Sequence, residues 1–260
     1  MIKRIYLIVV VIQIALGVAA QSNMRMEIPK TKKGVSEQII EHKAYTLSYN
    51  KDYNNPNWVA WELLKKETYG NKRRPKDFQG DEKISVKNRV QSYDYSGSRY
   101  DRGHMCPAGD NKWDSKAMTE CFYMSNMCPQ DHELNNNWWN NLEIACRRWA
   151  RREGKVYIVC GPVYNADRKI KTIGKKVKSV VPDGFFKVVL SVRKGHEKAI
   201  GFYYANNDSE QPMEKAVRSV DQIEKLTGMD FFSKLDDREE DKLEAKSNLR
   251  DWDPAQIRTE

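Results

Sequence analysis

Residues 101–104 read Asp-Arg-Gly-His, and residues 125–130 read Ser-Asn-Met-Cys-Pro-Gln. A run follows in which Asn135, Trp139 and Glu143 recur at every fourth position. Tyr100 to Pro107 predicts a strand ending in a tight loop, with Arg102 and His104 on one side of it if the backbone is extended. Gly103 between them permits a bend and a close approach of backbone. Lys116 to Glu120 predicts a short helix and Phe122 to Ser125 a further strand. Glu133 to Glu153 has the composition and period of a longer helix, with positions 135, 139, 143 and 146 on one face.

On the N-terminal side, Ala44 to Tyr49 alternates as a half-buried strand does, with Tyr45, Leu47 and Tyr49 on one side. Trp58 to Leu63 reads as a second strand, and Asn54-Asn55-Pro56-Asn57 supplies the turn between them. Residues 70–98 read as loop carrying one short strand. On the C-terminal side, Val156 to Cys160 is a buried strand ended by Gly161-Pro162. Phe185 to Val192 and Ala199 to Tyr204 are two more, joined at Lys194-Gly195-His196. Ser219 opens a helix through a capping box with Gln222, closed near Gly228. The acidic tail from Phe231 predicts a helix around Glu239 to Lys246. This order indicates an α+β fold: a central, mainly antiparallel sheet with flanking helices.

Residues 1–20 have the form of a signal peptide: Lys3 and Arg4, an apolar stretch from Ile5 to Val18, then small residues at Val18-Ala19-Ala20. The expectation is a secreted or periplasmic protein with no membrane association after cleavage, since no second apolar run follows. Residues 21–38 read as a loose N-terminal arm and 39–250 as a single domain. No repeat or low-complexity linker divides it, and nothing in the sequence specifies an oligomeric state. The formal charge is +9, and removing Lys3 and Arg4 leaves 43 − 36 = +7. Basic residues crowd between Arg147 and Lys178, opposed only by Glu153 and Asp167, which fits a polyanion footprint. The five cysteines, 106, 121, 128, 146 and 160, form no Cys-x-x-Cys knuckle. In an oxidising compartment two disulfides among Cys106, Cys128, Cys146 and Cys160 are expected, with Cys121 free.

The central residues suit metal-assisted phosphodiester hydrolysis. A near-neutral imidazole, His104, can take a proton from water. Arg102 supplies positive charge where a pentavalent phosphorane gathers negative charge. Asn135 offers an amide oxygen and Glu143 a carboxylate, a donor set that a hard, well-hydrated Mg²⁺ accepts with one direct protein ligand.

Asp101-Arg102-Gly103-His104, Ser125-Asn126 with Pro129-Gln130, Leu134-Asn135, Trp139 and Leu142-Glu143 together resemble the DNA/RNA non-specific endonuclease family of ββα-metal (His-Me finger) nucleases. Gly161-Pro162-Val163 and Ser219-Val220-Asp221 extend the likeness, which covers roughly residues 40–245. It implies a ββα-metal finger beside the sheet, within a single nuclease domain at 39–250. His104 then corresponds to the general base and Asn135 to the sole direct Mg²⁺ ligand. Glu143 orients a metal-bound water, Asn126 braces the histidine loop, and Arg102 lies near the phosphate. A further upstream arginine of the family has no single counterpart here, since Arg73, Arg74 and Lys76 all precede Phe78 at suitable distances; Arg73 and Arg74 are the candidates. The resemblance also implies DNA and RNA as substrates, 5′-phosphate ends, and Mn²⁺ as a possible substitute ion. Two rival readings use the same residues: a phosphodiesterase for small nucleotide-type substrates, and an inactive DNA-binding homologue.

Overall fold

Strands β3 (Asn55–Leu64) and β6 (Lys155–Val163) form the middle of a seven-stranded sheet. They pair antiparallel from Leu64↔Lys155 to Val59↔Cys160. This computed structural model describes residues 25–252, apart from 166 and 168. Outward from the centre lie β2 (Thr46–Asn50) and β1 (Gln38–Glu41) on one side. On the other lie β9 (Gly184–Ser191), β10 (Lys198–Ala205) and the short β11 (Val217–Arg218). Every pairing in the sheet is antiparallel. The histidine strand β4 (Asp101–His104) and β5 (Met127–Gln130) form a separate ribbon, and β7 (Thr172–Ile173) pairs with β8 (Ser179–Val180) in another.

The helices are α1 (Ser115–Glu120), α2 (Asn140–Glu153), α3 (Met213–Ala216), α4 (Val220–Thr227) and α5 (Asp237–Glu244). Alternate residues of the central strands serve two cores. Val59, Trp61, Ile158, Cys160 and Val189 meet Trp139, Leu142, Cys146 and Trp149 on one face. Trp58, Ala60, Val159, Val188 and Leu190 meet Val220, Ile223, Phe231 and Phe232 on the other. Both faces are therefore covered, which is why these strands read as continuous apolar runs rather than as polar–apolar alternation. Each fully buried large side chain in the two layers contributes about 1.5–3 kcal/mol.

Several boundaries differ from the sequence reading. The β2–β3 turn lies at 51–54, where Asn54 takes a left-handed φ of 51°. Pro56 sits inside β3 opposite Tyr49, at a register shift between Ser48 and Tyr49 that tolerates its missing N–H. The strand expected at Phe122–Ser125 starts only at Met127, because Asn126 is committed to bonding the backbone of Cys106 and Cys121. Residues 70–98 hold short 3₁₀ turns and an isolated bridge, Gln79↔Tyr123, in place of the predicted strand. β6 continues through Gly161-Pro162 to Val163.

The described part of the presumed loose arm is tied down. Arg25 bonds Glu27, Glu41 and Thr46, and Lys30 pairs with Asp230. The signal-peptide reading of residues 1–20 lies outside the described residues. The expected disulfides are absent, since all five cysteines are free and buried. They act as small core residues. Cys121 Sγ donates to Met118 O at 3.1 Å and Cys160 Sγ to Met105 O at 3.4 Å, while Asn111 Nδ2 donates to Cys106 Sγ at 3.4 Å. Among the described residues no helix is long and apolar enough to cross a membrane.

Candidate active site

The β4–β5 ribbon aligns Arg102 with Pro129, Gly103 with Cys128 and His104 with Met127. Gly103 is needed for close approach rather than for a bend, since a Cβ there would lie 2.1 Å from Gln130 Oε1 and 2.5 Å from Gln130 Cβ. Arg102 and His104 share a face as the alternation requires. Both lie against Phe78: the guanidinium is 5.3 Å from its ring centre, and the imidazole centroid is 5.6 Å away. Phe122 closes the other side of His104 edge-on at 4.8 Å, and Arg74 lies 5.9 Å over the Phe122 ring. Burial in this aromatic box, with the Arg74 charge nearby, lowers the His104 pKa to about 3. The ring is therefore neutral at neutral pH. Its Nε2 is buried without a partner, which leaves Nδ1 as the nitrogen that opens on the cavity.

Beyond the ribbon the chain enters a wide π-helical turn, Leu134–Trp139, before α2. The extra width splits the face predicted for 135, 139, 143 and 146. Asn135 and Glu143 line a cavity of about 470 Å³ with Arg74, Arg102 and His104. Trp139 and Cys146 turn into the core instead. Trp139 still serves the site, because its Nε1 donates to His104 O at 3.1 Å and anchors the histidine strand.

Asp101 orients the amide. Asn135 Nδ2 donates to Asp101 Oδ2 at 2.9 Å, and His132 Nδ1 bonds the same oxygen at 2.9 Å. An ionised carboxylate only accepts, so the Asn135 nitrogen must face it and Oδ1 faces away. Asn135 Oδ1 and the Glu143 carboxylate have no hydrogen-bond or ion-pair partner among the described residues. Two oxygen donors with open valences on one wall fit a hard, hydrated divalent cation.

Glu143 is half-buried, yet burial raises its carboxyl pKa to about 7, against the opposing pull of Lys187 and Arg147. Lys187 stands behind it fully buried, its Nζ 4.3 Å from the Trp139 ring centre and without a hydrogen-bond partner. Arg147 is held by Asp110 at 2.9 Å, and Asp110 also accepts from Trp61 Nε1 at 3.1 Å.

The sequence-predicted residues divide three ways. His104, Arg102, Asn135, Glu143 and Arg74 converge on the cavity. Asn126 is wholly buried behind it, its side chain bonded to Cys106 N, Cys106 O and Cys121 O, so it braces the loop without lining the site. Arg73 is exposed and lines no part of the cavity. Sequence reasoning missed Phe78, Phe122, Asp101 and Lys187. The lysine within the apolar Gly184–Ser191 strand was the available signal.

The basic cluster divides as well. Arg147 serves Asp110, Arg151 bonds Thr68, and Arg152 pairs with Glu153. Lys171, in contrast, bonds the hydroxyl of Tyr100 at 2.7 Å, at the cavity edge.

The profile of the DNA/RNA non-specific endonucleases matches residues 22–238. Human mitochondrial endonuclease G is 34% identical over 210 residues, 76% of this chain and 70% of that protein. Mitochondrial nuclease EXOG of Xenopus laevis is 34% identical over 77% of this chain, which spans only 59% of the frog protein. Nuclease C1 of Cunninghamella echinulata is 32% identical, with 78% and 86% covered. A chain of the crystallised EndoG/EndoGI complex superposes with a TM-score of 0.72 at 30% identity, covering 78% of this chain and 89% of that one. On its sequence, its fold and its His104–Asn135–Glu143 cavity, the chain belongs to the DNA/RNA non-specific endonuclease family.

Proposed function

We propose that this protein is an exported, Mg²⁺-dependent endonuclease that hydrolyses DNA and RNA without sequence preference and leaves 5′-phosphate ends, with Mn²⁺ able to replace Mg²⁺. The observation that carries the reading is the convergence on one cavity of a neutral imidazole, two arginines and two unpartnered oxygen donors. Export rests on the signal-like residues 1–20.

The roles follow from geometry and charge. His104, kept neutral by its burial, accepts a proton from the attacking water at Nδ1. Arg102 and Arg74 set guanidinium charge against the phosphate as negative charge develops. Asn135 Oδ1 would hold the ion directly and Glu143 would orient one of its waters. When bound, the ion supplies charge stabilisation and assists the departing 3′ oxygen. The lysines of residues 169–178, joined to the cavity through Tyr100, would track the backbone. Contacts confined to phosphate carry no sequence information, which accounts for low specificity.

Plasmid incubation with and without EDTA tests this reading. Nicking that EDTA abolishes is expected, as is a loss of at least about a hundredfold in His104→Ala with DNA retention kept. Retardation without cutting would support the inactive binding homologue. Preference for a small bis-aryl phosphodiester over long DNA would support the small-substrate enzyme.

A further inference from the structure

A second acidic site lies on the opposite face of the sheet from the catalytic cavity. α4 and the end of α5 cover the core layer built on Val220, Ile223 and Leu243. Where they meet, carboxylate oxygens of Asp221, Glu224 and Glu244 lie within 4.8 Å of one another. Glu244 is only 4% exposed, yet its Oε1 is buried with no hydrogen-bond partner. Glu224 spends Oε1 on the amide of Phe231 at 2.7 Å. None of the three makes an ion pair among the described residues.

A buried carboxylate is ordinarily paired, hydrogen-bonded or metal-bound. Glu244 has none of these partners, and the charged groups that act on it most strongly, Glu224, Glu240, Asp221 and Asp230, are acidic. The unfavourable field would be relieved by a cation placed among the oxygens. Ca²⁺ takes carboxylates at roughly 2.3–2.6 Å in flexible geometry, so two of its ligands can stand as far apart as these. Mg²⁺ takes its ligands at roughly 2.0–2.1 Å in a near-ideal octahedron, which would need these oxygens closer together than the 4.8 Å that bounds the cluster.

We propose that Asp221, Glu224 and Glu244 form a Ca²⁺ site that pins α5 to α4 and stabilises the C-terminal layer without taking part in hydrolysis. The test uses the full chain with Asn135→Ala, which disables the cavity ligand. Calorimetric titration with Ca²⁺ should find one site, and melting temperature should rise with added Ca²⁺. Adding Glu244→Gln should weaken binding at least roughly tenfold, because affinity follows ligand charge count. The exposed Asp221→Asn, which leaves the core untouched, should do the same and should leave Mg²⁺-supported plasmid cleavage unchanged in the otherwise native chain. An Asn135→Ala protein that binds no Ca²⁺, or acidic variants that bind it as before, would overturn the proposal. A carboxyl–carboxylate pair sharing a proton would then account for the cluster.

Discussion

Replacing Asp101 by alanine isolates the contribution of amide orientation to ion affinity. Asp101 lines the cavity, where its side chain accepts the hydrogen bond from Asn135 Nδ2 at 2.9 Å and contacts His132. Without the carboxylate, Asn135 is free to rotate its amide, and Nδ2 competes with Oδ1 for the ion's position. A hydrogen bond to a charged acceptor contributes about 1.5–3 kcal/mol when well buried. The Asp101 side chain keeps 34% of its surface in solvent, so solvent screening brings this below that range, to about 1–1.5 kcal/mol. At about 1.4 kcal/mol per decade this corresponds to roughly five- to tenfold weaker ion binding, at the lower edge of the roughly ten- to hundredfold typical of groups that orient a metal ligand. The assay is plasmid nicking across a Mg²⁺ titration. Half-saturation should move to higher Mg²⁺ by that factor, while the rate at saturating ion changes little. His132→Ala, which leaves the Asn135–Asp101 bond in place, should leave half-saturation where it was. An Asp101→Ala enzyme that titrates like the wild type would refute the idea that this carboxylate sets the amide, and with it the assignment of Oδ1 as ligand atom.

Glu143 should couple ion binding to pH. Its carboxyl pKa is raised from 4.5 to about 7, so below that value a proton and the ion compete for it, and half-saturating Mg²⁺ should rise up to about tenfold per pH unit. Glu143→Gln should flatten that slope, and a wild-type profile flat through acid pH would show that the carboxylate does not hold a water of the ion. The same raised pKa means that the folded apo-protein binds more protons than the unfolded chain between 4.5 and about 7. Its contribution to stability therefore declines as pH rises through that window in EDTA. All five thiols should resist a thiol reagent in the native protein and all five should react in denaturant, since burial pushes Cys121, Cys146 and Cys160 up to about 12. Fewer than five reacting without reductant would mean that a disulfide exists. Gly103→Ala should cost about 1–3 kcal/mol in denaturant melts, because the new methyl collides with Gln130 Cβ as well as its amide; unchanged stability would mean that the ribbon can part there.

Elements governed by local rules were legible. The apolar runs of β9 and β10 and the Ser219–Gln222 capping box are read almost residue for residue, because periodicity and capping are properties of a few consecutive side chains. The π turn at 134–139 was not, since a uniform period of 3.6 carries no mark of one widened turn. That single local change sends Asn135 to the cavity and Trp139 to the core. The aromatic box around His104 was hidden for another reason. Phe78 and Phe122 come from a long loop and from the segment after α1, and only the tertiary fold brings them together. Cysteine parity misled because it argues from compartment, whereas each thiol here fills a core position that an apolar residue of like size could occupy. Arg73 and Arg74 are neighbours in sequence, and only side-chain direction separates them: Arg74 stacks on Phe122, whereas Arg73 lines no part of the cavity.

Every residue lining the cavity lies between Arg74 and Glu143, inside the excursion that leaves the sheet after Leu64 and returns at Lys155. Those two ends face each other in the β3–β6 ladder, and Lys65 N donates to Gly154 O at 2.8 Å just beyond them. The reactive segment of the molecule is thus a cassette clipped shut at its base, with entry and exit only a strand spacing apart. Such a geometry lets the catalytic loops lengthen, shorten or exchange residues while the supporting barricade of strands keeps its register.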